Sequence, residues 1–289
     1  MSDKVYLNAC KNTIIKELYI STADDNYIAA RWCQDRDLTV DFYWLVVHAL
    51  EKYLKASLLS NNRSAIKKHG DKKEYSHDVT KLYDAVAEYA GPLLPEYIEC
   101  SDRIGEDSVF GKEKTVDFIA RIYKWGNADN RYNIYGYSQH PGDTYKVDEL
   151  MFAVRRLCID LGGYYVPPGE GRDGLKTFDL LKNQPEWWRH WLDLKPERMS
   201  SESKVNNLPE LREVFLSWNF PFAPEGYDHG STRIRSNSYN PVIYRHVVEP
   251  VKEKFSDGQI DTALELRDWV ADNIKLPKKD LDFLRGLKK

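Results

Sequence analysis

The sequence predicts a mainly α-helical protein: an up-and-down helical bundle over residues 1–166 and a mostly helical extension over residues 167–289. Three observations predict it. Apolar residues recur at three- and four-residue steps in segment after segment. Glycine and proline punctuation at Gly91-Pro92, Gly162-Gly163 and Pro167-Pro168 separates those segments. Neither an internal repeat nor a low-complexity tract interrupts them.

Each element can be justified in order. Tyr27 to Cys33 reads as a short helix with Asp24 or Asp25 as its N-cap. Asp41 to Leu59 is the clearest helix. Tyr43, Val47, Leu50, Leu54 and Leu58 form one apolar row, and Phe42, Val46, Ala49 and Tyr53 widen it. A stripe that wide implies packing on more than one neighbour. His48, Glu51, Lys52 and Lys55 take the other side, with Glu51 and Lys55 as an i,i+4 pair. Ser60 to Tyr75 is polar and basic, a loop or short helix. Ser76 caps the next helix in this reading, with Asp78 in its first turn and Val79, Leu82, Val86 and Tyr89 facing inward. Val116 to Trp125 is helical. Gly126 to Asp143 is an irregular segment rich in tyrosine and asparagine. Val147, Leu150, Val154, Leu157 and Leu161 mark a long helix that Gly162 and Gly163 end. PPGEGRDG, from Pro167 to Gly174, reads as a linker. Beyond it, Trp187, Trp188 and Trp191 form one apolar ridge, and Leu211, Val214, Phe215 and Trp218 another. Pro250 should end or kink a helix begun at Pro241. Ile260, Ala263, Leu266, Val270 and Ile274 make a last helix before Pro277, and short β pieces fit Ser231 to Ser238.

Composition narrows the classes. A net charge of −3 argues against a protein that coats nucleic acid non-specifically, though it leaves room for a local basic patch. Cys10, Cys33, Cys100 and Cys158 lie far apart and form no Cys-x-x-Cys, so they read as reduced thiols rather than a disulfide framework or zinc site. The N-terminus has no long apolar run, and the longest such run, Phe42 to Val47, is far short of the ~20 residues that span a bilayer. The expectation is a cytoplasmic protein with no membrane contact, no metal and no cofactor.

One ordered set of residues resembles a known family. Tyr27 and Ala29-Ala30-Arg31 come first, then the helix core Glu51-Lys52-Tyr53-Leu54-Lys55-Ala56. His77-Asp78-Val79-Thr80-Lys81-Leu82 opens the next helix, and Asn130-Arg131-Tyr132 precedes the long helix from Val147 to Leu161. This order is similar to that of HEPN domains, helical bundles of prokaryotic defence and toxin–antitoxin proteins, and covers roughly residues 5–165. The resemblance implies a four- or five-helix bundle, a homodimer and RNA as substrate or ligand. It also leaves room for an antitoxin-like protein partner on a separate chain. Residues 170–289 carry no such likeness.

The resemblance also implies a catalytic pair, which this sequence breaks. Ribonuclease members carry Arg, four to six residues, then His. The RNA 2′-hydroxyl attacks the adjacent phosphate, His moves a proton and Arg offsets charge. After Arg131 no histidine sits at that distance, and His140 lies beyond it. Tyr137 can donate a proton, but a phenol with an ordinary pKa near 10 is a poor base at neutral pH. Arg63 and His69 have the right count but lie in the loop after the second helix. The reading is therefore an RNA-binding or RNA-directed defence protein without the standard pair. The first alternative is an active metal-independent endoribonuclease using Arg131 and His140. The second is a protein-interaction scaffold anchored by tryptophans of residues 187–218.

For RNA contact the candidates are Lys124, Tyr132, Tyr135 and Tyr137, with Arg63, Lys67 and Lys68. Tyrosines that merely pack the irregular segment onto the bundle are the plainer alternative. Arg131 in turn can be an ion-pair anchor with Asp129 or Asp143. His77 can serve only the start of its helix, and His48 can be simply solvated. Gly169 to Gly174 spells G-x-G-x-x-G, but it follows a helix rather than a strand and is not a dinucleotide loop. Arg233 and Arg235 near His229 and His246 can form an anion site or decorate an exposed loop.

Overall fold

A computed structural model of the protein describes residues 3–67, 70, 74–99, 111–127, 137, 139, 142–169, 173–183, 209–216, 219, 221–222, 243–274 and 278–289. It is mainly α-helical. Helix α1 (Asp3–Ile15) runs through a π-helical stretch (Lys16–Ile20) into α2 (Ser21–Asp35) with helical backbone throughout. The continuity removes the N-cap expected at Asp24 or Asp25. Asp24 instead lies buried inside a helix that starts earlier than its apolar pattern suggests.

Helix α3 (Thr39–Ser60) is the axis of the bundle. It packs against α2, α4 (Val79–Ala90), α5 (Thr115–Gly126) and α6 (Asp143–Arg155). Its wide apolar stripe explains this. Phe42, Tyr43, Val46, Leu50, Tyr53 and Leu54 are fully buried, more than one neighbour could cover. Each large apolar side chain so buried contributes roughly 1.5–3 kcal/mol relative to exposure. Asn62 takes a left-handed conformation after α3 (φ 56). Asn61 there donates to the Ile159 carbonyl and accepts from Leu161 N–H, tying the end of α3 to the chain beyond α6.

Two boundaries differ from the sequence reading. Asp78, not Ser76, caps α4: its carboxylate accepts from the N–H groups of Thr80 and Lys81, while Ser76 takes a left-handed turn (φ 51). Helix α6 stops at Arg155, before the apolar pattern does. Leu157 and Leu161 remain in the core, but turns carry them there, and Arg156 donates to the Leu93 carbonyl.

The strands are short. β1 (Tyr97–Ile98) pairs antiparallel with β2 (Glu113–Lys114), and β3 (Tyr164–Val166) with β4 (Leu175–Lys176). The second pair brackets the Pro167–Gly174 stretch, which the sequence reading takes as a linker, and α7 (Thr177–Asn183) follows.

Helix α8 (Pro209–Leu216) lies on α2, and Phe215 and Phe222 pack on Tyr27 with ring centroids 5.2 and 5.4 Å away. A second π-helical stretch (Tyr244–Val248) leads into α9 (Glu249–Lys252), where Pro250 sits in the first turn. Helix α10 (Asp257–Asn273) packs on α1 and carries the buried row Ile260, Ala263, Leu266 and Val270. Helix α11 (Lys278–Arg285) follows and was not foreseen. Trp187, Trp188, Trp191, Trp218, Cys100, Arg233 and Arg235 lie outside the described residues, as does Ser231–Ser238. No helix among the described residues is long and apolar enough to cross a membrane.

Candidate functional site

Three buried tyrosine–carboxylate–cation groups fix the frame on which any site must sit. In the first, Tyr53 of α3 donates to Asp24 of α2 at 2.5 Å, and Arg155 of α6 grips the same carboxylate at 2.7 and 3.0 Å. Burial pushes the Asp24 carboxyl above its ordinary value, and Arg155 and the Tyr53 hydroxyl pull it back part-way. In the second, Tyr27 donates to Asp148 at 2.5 Å and accepts from Asn219, with Arg31 3.5 Å from the carboxylate. Burial outweighs Arg31 and Tyr27 here and raises Asp148 to about 7. In the third, Tyr43 donates to Asp143 at 2.6 Å, and Arg121 bridges Asp143 and Glu113. Partial burial alone would raise Glu113, yet Arg121 and Lys146 carry it below its ordinary value.

The third group holds the corner where α2 turns into α3. Helix α5 ends there: the Gly126 Cα lies so close to α3 that an added Cβ would sit 2.2 Å from the Tyr43 carbonyl oxygen. Trp125 packs edge-on to Tyr43 at 4.9 Å. Helix α6 begins there, at Asp143. The connection 127–142 thus leaves and rejoins the bundle beside Tyr43. Within it, Gln139 donates to Gln34 of α2 at 2.8 Å and meets Thr39 of α3 at 3.4 Å. Tyr137 is 45% exposed. Lys124, in the last turn of α5, is also exposed. Arg131, His140, Tyr132 and Tyr135 belong to this connection but lie outside the described residues, as does Lys68.

The other basic candidates are elsewhere. Arg63 lies past the far end of α3, stacked over Tyr89 at 4.5 Å and 4.0 Å from Glu88, with Lys67 exposed beyond it. The 22 residues of α3 span about 33 Å. Arg63 and Lys67 therefore do not share a site with Lys124 and Tyr137. Trp125 and Lys146, which also fit an RNA-binding texture by sequence, are buried and serve the frame.

The polar side of α3 is less exposed than its sequence suggests, and it meets His77. Trp44, His48, Glu51 and Lys55 recur at steps of four, three and four, so they share one helix face. Glu51 and Lys55 are buried, and Lys55 donates to Glu51 at 2.6 Å. His77, just before α4, places Nδ1 3.0 Å from both Glu51 oxygens while its side chain stays 69% exposed. The two stretches that carry the family likeness therefore meet here. Desolvation would raise the Glu51 carboxyl, but Lys55 and His77 bring it below its ordinary value. Burial lowers His48, helped by the positive charge of Lys52, His77 and Lys55 and opposed by Glu51. Trp44 meets the His48 ring edge-on at 4.2 Å. The available signal was the interruption of the core spacing by charged residues that themselves keep helical period.

Between α2, α3 and α8 lies a cavity of about 970 Å³, walled by Ile28, Trp32 and Leu211. Lys52 reaches its edge and donates to Asn26 at 3.2 Å. Among the described residues no group of three or more His, Cys, Asp or Glu could hold a metal ion.

The chain is 26% identical over 147 residues to the phosphoribosylformylglycinamidine synthase subunit PurL of Picrophilus torridus. The match takes in 45% of this chain and 19% of that protein, so the chain spans about a fifth of the length of the curated relative it matches. No protein-family model matches the chain. No solved structure matches it.

Proposed function

We propose that this is a HEPN-like protein that binds single-stranded RNA, as a cytoplasmic homodimer acting in RNA-directed defence or with a toxin–antitoxin partner, and without the standard Arg–His ribonuclease pair. One observation carries the reading. The connection that holds Asn130-Arg131-Tyr132 starts at Gly126, ends at Asp143, and is fastened in between through Gln139 to both α2 and α3. A tyrosine-rich segment that carries Arg131, fastened at one corner of the bundle beside Lys124, suits a surface with stacking aromatics and a phosphate contact. Lys124 and Tyr137 are exposed at that corner, available to a phosphate and a base.

The test is fluorescence anisotropy of a labelled single-stranded RNA against rising salt, in EDTA. Binding should weaken linearly in log–log form, and Lys124→Glu should reduce the slope by about one. Tyr137→Ala should weaken binding at every salt concentration. Absence of salt-sensitive binding contradicts the reading and leaves the interaction scaffold. Cutting that vanishes in Arg131→Ala and in His140→Ala identifies the active alternative instead.

A further inference from the structure

We infer that the cavity between α2, α3 and α8 binds a small amphipathic monocarboxylic acid, of the medium-chain fatty-acid kind, with its carboxylate at Lys52 and its apolar body between Trp32, Ile28 and Leu211. This site goes beyond the RNA-binding reading above and uses none of its residues.

The walls set the shape of the ligand. A cavity of about 970 Å³ between helices is at the upper end of the range that takes a drug-sized molecule. Ile28 and Ala29 lie four and three residues before Trp32, so one face of α2 lines it, with Pro209 and Leu211 of α8 as further apolar walls. Asp25 and Asn26 lie a turn or two earlier on α2, beside Lys52 of α3. The cavity is therefore polar towards the start of α2 and apolar towards Trp32. Asn26 and Trp32 are six residues apart, about 9 Å along the helix. A ligand that spans both ends has a polar head and an extended apolar body.

The charge of the head group follows from what is already paired. Lys52 is half-buried, and among the described residues its ammonium meets only neutral oxygens within hydrogen-bonding distance, Asn26 Oδ1 at 3.2 Å and the Thr22 carbonyl at 3.3 Å. An ammonium has three N–H donors, so one is left for an anion, and the Asn26 amide nitrogen can donate to the same group. Burial lowers the Lys52 pKa, and Glu51 and Asp25 oppose that effect. A bound carboxylate replaces hydration that the ammonium has lost. The acidic residues on the walls are engaged: Arg36 donates to Glu210 at 2.7 Å, and Asp25 is not free. A cationic head group therefore gains little here. Asp25 also disfavours a dianion such as a phosphate monoester, whereas a carboxylate carries the single charge that Lys52 balances.

The experiment titrates the full chain with decanoate, decanol and decyltrimethylammonium by isothermal titration calorimetry, all below micelle formation. The three share one tail and differ in head-group charge. The inference expects one decanoate per chain, bound about tenfold or more tighter than decanol, and no saturable binding of the ammonium. Lys52→Met should weaken decanoate by about tenfold or more and leave decanol unchanged, while Lys52→Arg keeps most of the affinity. Ala29→Trp, which fills the apolar end, should abolish binding of both. Amide hydrogen exchange in α8 should slow when decanoate is added, because α8 forms one wall. The head-group series is read on the unaltered chain, so a variant that fails to fold leaves the test intact. Equal affinity for acid and alcohol, tighter binding of the ammonium, or decanoate binding that Lys52→Met leaves unchanged overturns the inference. So does a chain that takes up no decanoate. RNA binding, read separately by anisotropy, stands or falls independently of these outcomes.

Discussion

Arg155 and Asp24 are both buried, and together with Tyr53 they join α2, α3 and α6 at one point. Removing one ion of such a pair strands the other in a poor solvent, which costs more than removing both. Arg155→Leu should therefore destabilise the protein by about 3–5 kcal/mol in urea unfolding. Adding Asp24→Leu should recover at least half of that loss, and simple addition of the two losses would contradict the account. Asp148 offers a test of sign. Its folded value of about 7 lies above its ordinary 3.8, so between those limits the folded state keeps a proton that the unfolded chain has lost. Its contribution to stability is complete below pH 4 and lost as pH rises through 7. The melting temperature of the parent minus that of Asp148→Asn should thus fall from pH 4.5 to pH 8. A difference that stays level or rises would contradict it. None of the three buried groups was legible in the sequence. Asp24, Asp148 and Arg155 look like ordinary polar positions until the tertiary neighbours that bury them are known.

Helices were legible where one face is apolar and the ends are punctuated. Residues 41–59 met both conditions, and α3 differs from that reading by only a residue or two at each end. Boundaries failed where tertiary contacts replaced local signals. Helix α6 ends early because turns held by Asn61 and Arg156 complete its apolar row. Helix α2 begins early because the π-helical stretch continues α1 without a cap. Gly126 shows a packing demand hidden in a residue that reads as a simple stop. Its lack of a side chain lets the end of α5 lie against the α3 backbone, with Val47 Cγ2 2.5 Å from where a Cβ would stand. Gly126→Ala should cost roughly 2–3 kcal/mol through overpacking, read as a lower urea midpoint at constant slope. An unchanged midpoint would show that α5 and α3 are not in such close contact.

Among the described residues, segments beyond residue 208 add to the hydrophobic core begun by the first six helices. Phe215, Phe222, Val247, Leu266 and Val270 belong to the same core cluster as Leu50 and Leu54. That packing was not visible in advance, because the periodicity of a helix reports which face is apolar but not what covers it. The candidate site was legible in part. The basic and aromatic residues near 124–140 could be picked out by type, but their separation from Arg63 and Lys67 by the length of α3 could not. The Glu51–His77 contact joins two stretches whose spacing in sequence carries no hint of it. The claim that most of this account depends on is that RNA lies on the α2–α3 corner. Ultraviolet crosslinking of bound single-stranded RNA, with the crosslinked peptides identified by mass spectrometry, tests it most directly. Adducts should map to Lys124 and Tyr137. Adducts confined to α8–α11, or none on an RNA-saturated protein, would contradict it.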